Sequence, residues 1–440
     1  EKGVTISYGL AWRAKEAAHS AIHGDHTEAY KKLEGYCEEI LKTNPGSIAF
    51  VQRTSEGRFS RCFIAFNASL KGFSYCRPVV GLDGTHLKGR YLGTLLSATA
   101  IDGNDGLFPL AFAVVAAEND DNWMWYLQCL KDCLHHSERV TFISERQKGL
   151  VEGVESVFGS GTPHAYCMWR LSENFRQAFK STQLAHLLWN AAHANNVEDY
   201  DDIMKEMHAA NPQATTWILA AADPIYWANS KFIGQRYGHM TCNIAESLNS
   251  SLRELPVLAM LEMIRHKLMA WFSERREEAH SLVIDAREQA YLRLTSRIEE
   301  DVRKAYRIIA KSDLEFEVLS TKPQVVHLGS KTCSCCKWQQ SGVPCSHAAC
   351  AILCRNESVH SYVHGAFFLT SYYETYKEEI HPVTIPTTLS DILAPATRRS
   401  PGRPKSKRIH IEEVSKEVHH CTGCKGTGHN ARTCRAPMFL

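Results

Sequence analysis

Four residues near the C-terminus, Cys421, Cys424, His429 and Cys434, stand in the spacing C-x2-C-x4-H-x4-C. Two thiolates separated by two residues let the chain curl back on one metal ion, and Gly426 and Gly428 permit the tight turns that so small a loop needs. The segment has too little apolar surface to fold without the ion. This is the spacing of a zinc knuckle, and it predicts a metalloprotein that touches nucleic acid.

A second group lies upstream. Cys333 and Cys335 form C-x-C, and after a nine-residue gap Cys345 and His347 form C-x-H. Three thiolates and one imidazole suit a closed tetrahedral zinc site. Cys336, Cys350 and Cys354 are left over and read as small buried hydrophobes. The sixteen cysteines are spread through 440 residues with no signal-peptide apolar region and no apolar run near twenty. They are therefore expected to be reduced, some on zinc, in cytosol or nucleus, with no membrane involved. The chain opens at Glu1 rather than Met, which leaves room for upstream sequence.

The net charge of +2 conceals an asymmetry. From Asp391 to Leu440 ten lysines and arginines stand against four acids, so a basic tail follows a slightly acidic body. Phosphate contacts are expected to concentrate in that tail. Within it, Gly402-Arg403-Pro404-Lys405 resembles the core of an AT-hook, in which Arg403 and Lys405 would enter a narrow minor groove. A plain nuclear import signal is the alternative, and both readings place the chain in the nucleus.

Length and a 44% hydrophobic content predict two to three domains. Residues 12–22 and the series Tyr30, Leu33, Cys37, Ile40 and Leu41 recur at helical spacing until Asn44-Pro45-Gly46 ends the pattern. From Arg77 short apolar runs take over, and Pro78–Leu82, Thr94–Ile101 and Leu107–Ala116 read as three adjacent strands. Asn122–Leu134 then reads as a helix, Val140–Ile143 as a strand, Leu150–Phe158 as a helix and His164–Cys167 as a strand. The expected fold is α/β, a mixed sheet with helices on its faces, the arrangement of a ribonuclease-H-like core. Residues 169–227 read as helical, and Leu258, Leu261, Ile264, Leu268 and Phe272 line one core-facing helix stripe.

Asp83 closes the first of these strands. Phosphoryl transfer with two metal ions needs carboxylates on rigid elements, and an acid on a central strand meets that need, although Asp83-Gly84 is equally an ordinary turn dipeptide. Glu145 lies just past another strand, and Ser144-Glu145-Arg146-Gln147 also reads as a capping box.

The string Gly81-Leu82-Asp83-Gly84-Thr85-His86-Leu87-Lys88-Gly89 within Val79–Val115 closely resembles the plant Mutator-like element transposases. So do Asn122–Leu130, Phe142-Ile143-Ser144-Glu145-Arg146-Gln147-Lys148-Gly149 and Thr241-Cys242-Asn243-Ile244-Ala245-Glu246-Ser247-Leu248-Asn249. The group around Cys333 is similar to the SWIM zinc finger that such transposases carry after the core. The resemblance implies a ribonuclease-H-like core with a helical insertion and small zinc modules. Two aspartates and a glutamate would hold Mg²⁺ or Mn²⁺ there, with Asp83 at the first aspartate, Glu145 where the second belongs, and Glu246 at the glutamate.

The chain departs from that pattern in three places. Glu145 replaces an aspartate, Arg170 stands where Cys-x-x-His is usual, and the string after Glu246 is about one helical turn short. The resulting expectation is a helical region over 1–75, the core over 76–320, the SWIM module over 325–356, a connector over 357–397, the basic linker over 398–412 and the knuckle over 418–436. Two structural Zn²⁺ are expected. The partner would be DNA, either transposon terminal repeats or regulatory sites, with a homo-oligomer possible. The function would be phosphodiester cleavage and strand transfer in DNA transposition, or DNA-binding transcriptional regulation by a domesticated, catalytically inactive descendant.

Overall fold

In the computed structural model the described residues are 10, 14, 17–18, 21–134, 139–242, 252–285 and 306–396. Helices α1 (His26–Lys31) and α2 (Leu33–Thr43) precede strands β1 (Ile48–Arg53) and β2 (Phe59–Ala65) and helix α3 (Asn67–Phe73). The first 75 residues are thus not helical throughout, because alternation in Ala49 and Phe59–Ala65 supplies a hairpin that joins the sheet. β3 (Arg77–His86), β4 (Thr94–Ile101) and β5 (Leu107–Val115) follow as an antiparallel meander.

Helix α4 (Asp120–Cys133) is capped by the Asn119 side chain, which accepts from the Asn122 N–H, and carries Asp120 and Asp121 in its first turn. It buries Trp123, Tyr126, Leu127 and Leu130, and the Tyr126 hydroxyl donates to the Ala111 carbonyl at 2.9 Å. Strand β6 (Thr141–Ser144), helix α5 (Lys148–Phe158) and strand β7 (His164–Tyr166) complete the sheet. Its strand order is β1-β2-β5-β4-β3-β6-β7, antiparallel from β1 to β3 and parallel from β3 through β6 to β7.

Four helices come next: α6 (Met168–Phe179), α7 (Thr182–His193), α8 (Val197–Ala210) and α9 (Pro212–Ala221). They pack Leu171, Phe175, Leu188, Met207 and Trp227 into a cluster of their own. Asn196 and Asn211 each cap the helix that follows them. Helix α10 (Val257–Asp285) buries Leu258, Leu261, Ile264, Leu268 and Phe272 against the sheet core, as the stripe predicts.

A second, antiparallel sheet in the order β11-β10-β9-β8 is built from β8 (Arg307–Ala310), β9 (Glu315–Leu319), β10 (Gln324–His327) and β11 (Thr332–Cys333). Short helix α11 (Lys337–Ser341) and helix α12 (Ser346–Cys354) lie beside it. The sheet starts at Arg307, so β8 and β9 belong with this module rather than with the larger core. Its cluster runs on from Phe316, Val326, Trp338 and Ile352 to Val79, Ile143 and Ala165 of the large sheet. The expected connector includes α13 (Leu369–Tyr376), whose Tyr372 and Tyr376 are wholly buried in the main core. The chain then returns to its start, where Ser390 N–H donates to the Lys31 carbonyl and Phe59 N–H to the Leu393 carbonyl. No described helix is long and apolar enough to cross a membrane.

Candidate acidic site and metal centre

Strand alternation decides which side chains meet. On β3 Val79, Gly81 and Asp83 take one face, and Val80, Leu82 and Gly84 take the other. Pairing is parallel, with Gly81 opposite Ile143 and Ile143 opposite Ala165. Two residues further on come Asp83, still within β3, and Glu145 and Cys167, each just past its strand, and these two carboxylates and the thiol lie close enough to act on one another's charge. Arg170 joins them from the first turn of α6.

Asp83 is 5% exposed, and its Oδ1 has no hydrogen-bond partner. Burial, and then repulsion by Glu145, push its carboxyl up to about 7, against the pull of Arg170. Arg170 Nε stands 2.7 Å from Glu145 Oε1 as an ion pair without hydrogen-bond alignment, and Nη2 stands 3.9 Å from Asp83 Oδ1. The guanidinium also lies over the Trp169 ring, 5.0 Å from its centroid. Cys242 N–H donates to Cys167 Sγ at 3.3 Å, and the neighbouring Cys242 thiol holds Cys167 below the ordinary thiol range.

The capping box expected at Ser144 does not form. Ser144 still belongs to β6, and its hydroxyl reaches the Glu145 carbonyl at 2.8 Å and His164 Nε2 at 2.7 Å. Helix α5 begins only at Lys148, and the side chain of its N-cap, Gln147, accepts from the Trp123 indole instead. Burial drives His164 down to about 4, which keeps its imidazole neutral.

Glu118 was missed by sequence reasoning. A Cβ at Gly84 would come within 2.7 Å of its Oε1, so its carboxylate lies over the strand residue next to Asp83 and adds to the negative field there. It is also 3.6 Å from His86 Nε2. Its place after β5, at the entry to α4, carries no spacing signal, since an acid before a helix reads as an ordinary capping residue.

These side chains do not fit a divalent ion as they stand. Mg²⁺ demands near-octahedral oxygen donors at about 2.0–2.1 Å, whereas the place between Asp83 and Glu145 is taken by a cation of the chain itself. Glu246 lies outside the described residues, as do the knuckle ligands Cys421, Cys424, His429 and Cys434, and Arg403 and Lys405.

The upstream zinc group is assembled. Ligand atoms of Cys333, Cys335, Cys345 and His347 all lie within 4.8 Å of one another. Cys335 Sγ and Cys345 Sγ are 3.5 Å apart, and His347 Nδ1 is 3.8 Å from both Cys333 Sγ and Cys345 Sγ. Zn–S bonds of about 2.3 Å at tetrahedral angles place sulfurs roughly 3.8 Å apart, so the donor set fits zinc. Cys333 is held on β11 by Gln339, whose side chain accepts from its N–H at 3.1 Å and donates to its carbonyl at 2.9 Å. Cys345 and His347 are positioned by the start of α12. Cys350 is buried as expected, but Cys336 is half-buried at a positive φ of 59° and Cys354 is exposed, so neither of these two is a core hydrophobe.

Two segments match known families. Residues 79–174 match the MULE transposase domain and residues 324–356 the SWIM zinc finger. No curated protein matches the chain. The matched segments, in this order, support a Mutator-like transposase family, with zinc binding suggested by the finger and by its four assembled ligands.

Proposed function

We propose that this chain, in which a transposase domain precedes a zinc finger, is a transposase-derived nuclear DNA-binding protein whose acidic site does not cleave DNA in the form seen here. A ribonuclease-H-like core is supported by the strand order, an antiparallel meander followed by two parallel strands with Asp83 on the central one. The observation that carries the inactive reading is the Arg170–Glu145 ion pair at 2.7 Å. In-line attack on a phosphodiester needs reacting groups held to well under an ångström, and a guanidinium paired with Glu145 occupies the place from which the carboxylates would hold them.

DNA affinity would come from the tail, through Arg403, Lys405 and the knuckle ligated by Cys421, Cys424, His429 and Cys434. Lysine and arginine contacts to phosphate release counterions, and a knuckle presents its loop to unstacked bases. The partner on this reading is terminal-repeat or regulatory DNA. Active transposition is the second reading, favoured by the survival of a buried Asp83, its Oδ1 without a hydrogen-bond partner, beside a second carboxylate.

The deciding experiment incubates the zinc-loaded full chain with labelled terminal-repeat duplex and Mg²⁺ or Mn²⁺. Salt-sensitive binding without nicking is expected. Nicking that Asp83→Ala abolishes would establish the active enzyme instead, and absence of any DNA binding would sink both readings.

A further inference from the structure

Two thiols meet just past the end of β7. Cys167 Sγ accepts the Cys242 N–H at 3.3 Å, and the Cys242 thiol stands beside that sulfur as a hydrogen-bond neighbour. Backbone contacts hold the two segments in place, with Cys167 N–H on the Ser144 carbonyl and Met168 N–H on the Met240 carbonyl, each at 2.8 Å. Cys167 is also the N-cap of the twelve-residue α6, and the first-turn N–H groups of Trp169 and Arg170 act on its sulfur, though without the alignment of a cap hydrogen bond. These dipoles favour the thiolate on Cys167 rather than on Cys242. Both residues are buried, but Arg170, which acts on the charge of both sulfurs, keeps 25% of its side chain exposed, so the pair lies close to solvent. A metal would need further donors, and among the described residues Cys333, Cys335, Cys345 and His347 alone meet metal-ligand distances. The chemistry open to Cys167 and Cys242 is therefore with each other.

We propose that Cys167 and Cys242 form a reversible disulfide, with Cys167 as the thiol that a peroxide oxidises first and Cys242 as the thiol that resolves it. The Cys167 thiolate attacks one oxygen of hydrogen peroxide and expels hydroxide, which takes up a proton and leaves as water, and Cys167 becomes a sulfenic acid. The Cys242 sulfur then attacks the Cys167 sulfur and gives up its proton, the S–OH bond breaks, and a second water leaves. The two thiols together lose two electrons, and the peroxide is reduced to two waters. Exchange with a low-molecular-weight thiol restores the reduced pair. The bridge ties the start of α6 to a residue just upstream of Glu246, and its chemistry is independent of whether the acidic site cleaves DNA. Cys37 and Cys62 are a second close thiol pair, but they lie within α2 and β2 inside the core, away from a helix N-terminus, and stay reduced.

The test treats the zinc-loaded full chain with hydrogen peroxide, blocks the remaining thiols with iodoacetamide, and maps unreduced peptides by mass spectrometry while bound zinc is measured. A cross-linked peptide joining Cys167 to Cys242 should appear with zinc retained, should vanish on treatment with dithiothreitol, and should leave Cys37 and Cys62 unlinked. The oxidised chain should unfold at a higher urea concentration than the reduced one. Cys242→Ser should stop at a sulfenic acid on Cys167 that dimedone traps, whereas Cys167→Ser should leave Cys242 unoxidised; alanine replaces serine if either variant misfolds. The wild-type map decides the proposal even if neither variant folds. Cys167 and Cys242 still reduced when peroxide has oxidised the exposed Cys354 would overturn it, as would a cross-link that forms only after zinc is lost or that joins either residue to another cysteine. Dimedone capture on Cys242 in Cys167→Ser, at the rate seen on Cys167 in Cys242→Ser, would overturn the assignment of Cys167 as the first thiol to react.

Discussion

Arg170 and Glu145 meet at 2.7 Å although one comes from a helix and the other from the end of a strand, and both depart from the residue types expected there. Two departures that fit each other chemically are expected to act non-additively. Glu145→Asp draws the carboxylate back by about 1.5 Å, one carbon–carbon bond, and loosens the pair. Neither Glu145→Asp nor Arg170→His alone should nick terminal-repeat DNA appreciably, whereas the double variant should exceed the sum of the two. A double variant as inert as wild type would show that the shortened string after Glu246, or some other feature, blocks the chemistry.

Asp83 makes stability depend on pH in a predictable direction. Its carboxyl titrates near 7 when folded and near its ordinary 3.8 when unfolded. Between those values the folded state holds a proton that the unfolded state has released, so stability falls as pH rises through this window and levels off above it. Asp83→Asn escapes the loss. It should be more stable than wild type at pH 8, by an order-of-magnitude upper bound of about 4 kcal/mol, and nearly equal to it at pH 4. Urea midpoints at the two pH values measure this, and a difference independent of pH would contradict it.

Metal analysis of reduced, purified protein should give two zincs per chain. Cys345→Ser should lose one equivalent and loosen the β8–β11 module, since the metal would tie β11 to the start of α12. Removal of residues 418–436 should lose the other equivalent and leave the module intact. A stoichiometry near zero in reduced protein would exclude both sites.

Deleting the chain from Arg398 onward should flatten the plot of log affinity for duplex DNA against log salt. Each phosphate contact contributes roughly 0.9 to that slope, and several of the tail's basic residues should take part. An unchanged slope would place the phosphate contacts elsewhere.

Gly72 sits in α3, where alanine would ordinarily stabilise a helix by about 0.5–1 kcal/mol. Here an added Cβ would collide with the Thr375 carbonyl and approach Phe108 Cζ to 2.8 Å. Gly72→Ala is therefore expected to destabilise by about 1–3 kcal/mol. A stabilised variant, measured by urea unfolding, would mean that α13 is not packed as described.

What the sequence determined by itself is the local and the periodic. Strand β4 falls on Thr94–Ile101 as its apolar run predicts, and the stripe from Leu258 to Phe272 is buried, because alternation and helical spacing act through near neighbours. The four zinc ligands from Cys333 to His347 were likewise legible, since a metal imposes its own spacing on nearby residues. Tertiary structure decided the rest. β1 and β2 joined the large sheet, and β8 and β9 joined the zinc module, through pairings that no short window contains. Ser144 stayed in its strand because His164, twenty residues on, holds its hydroxyl. The meeting of Asp83, Glu145 and Arg170 depended on which strands lie side by side and which face each residue takes. The neighbouring charges then shift the buried Asp83 carboxyl, and that interaction exists only once distant segments have been brought together.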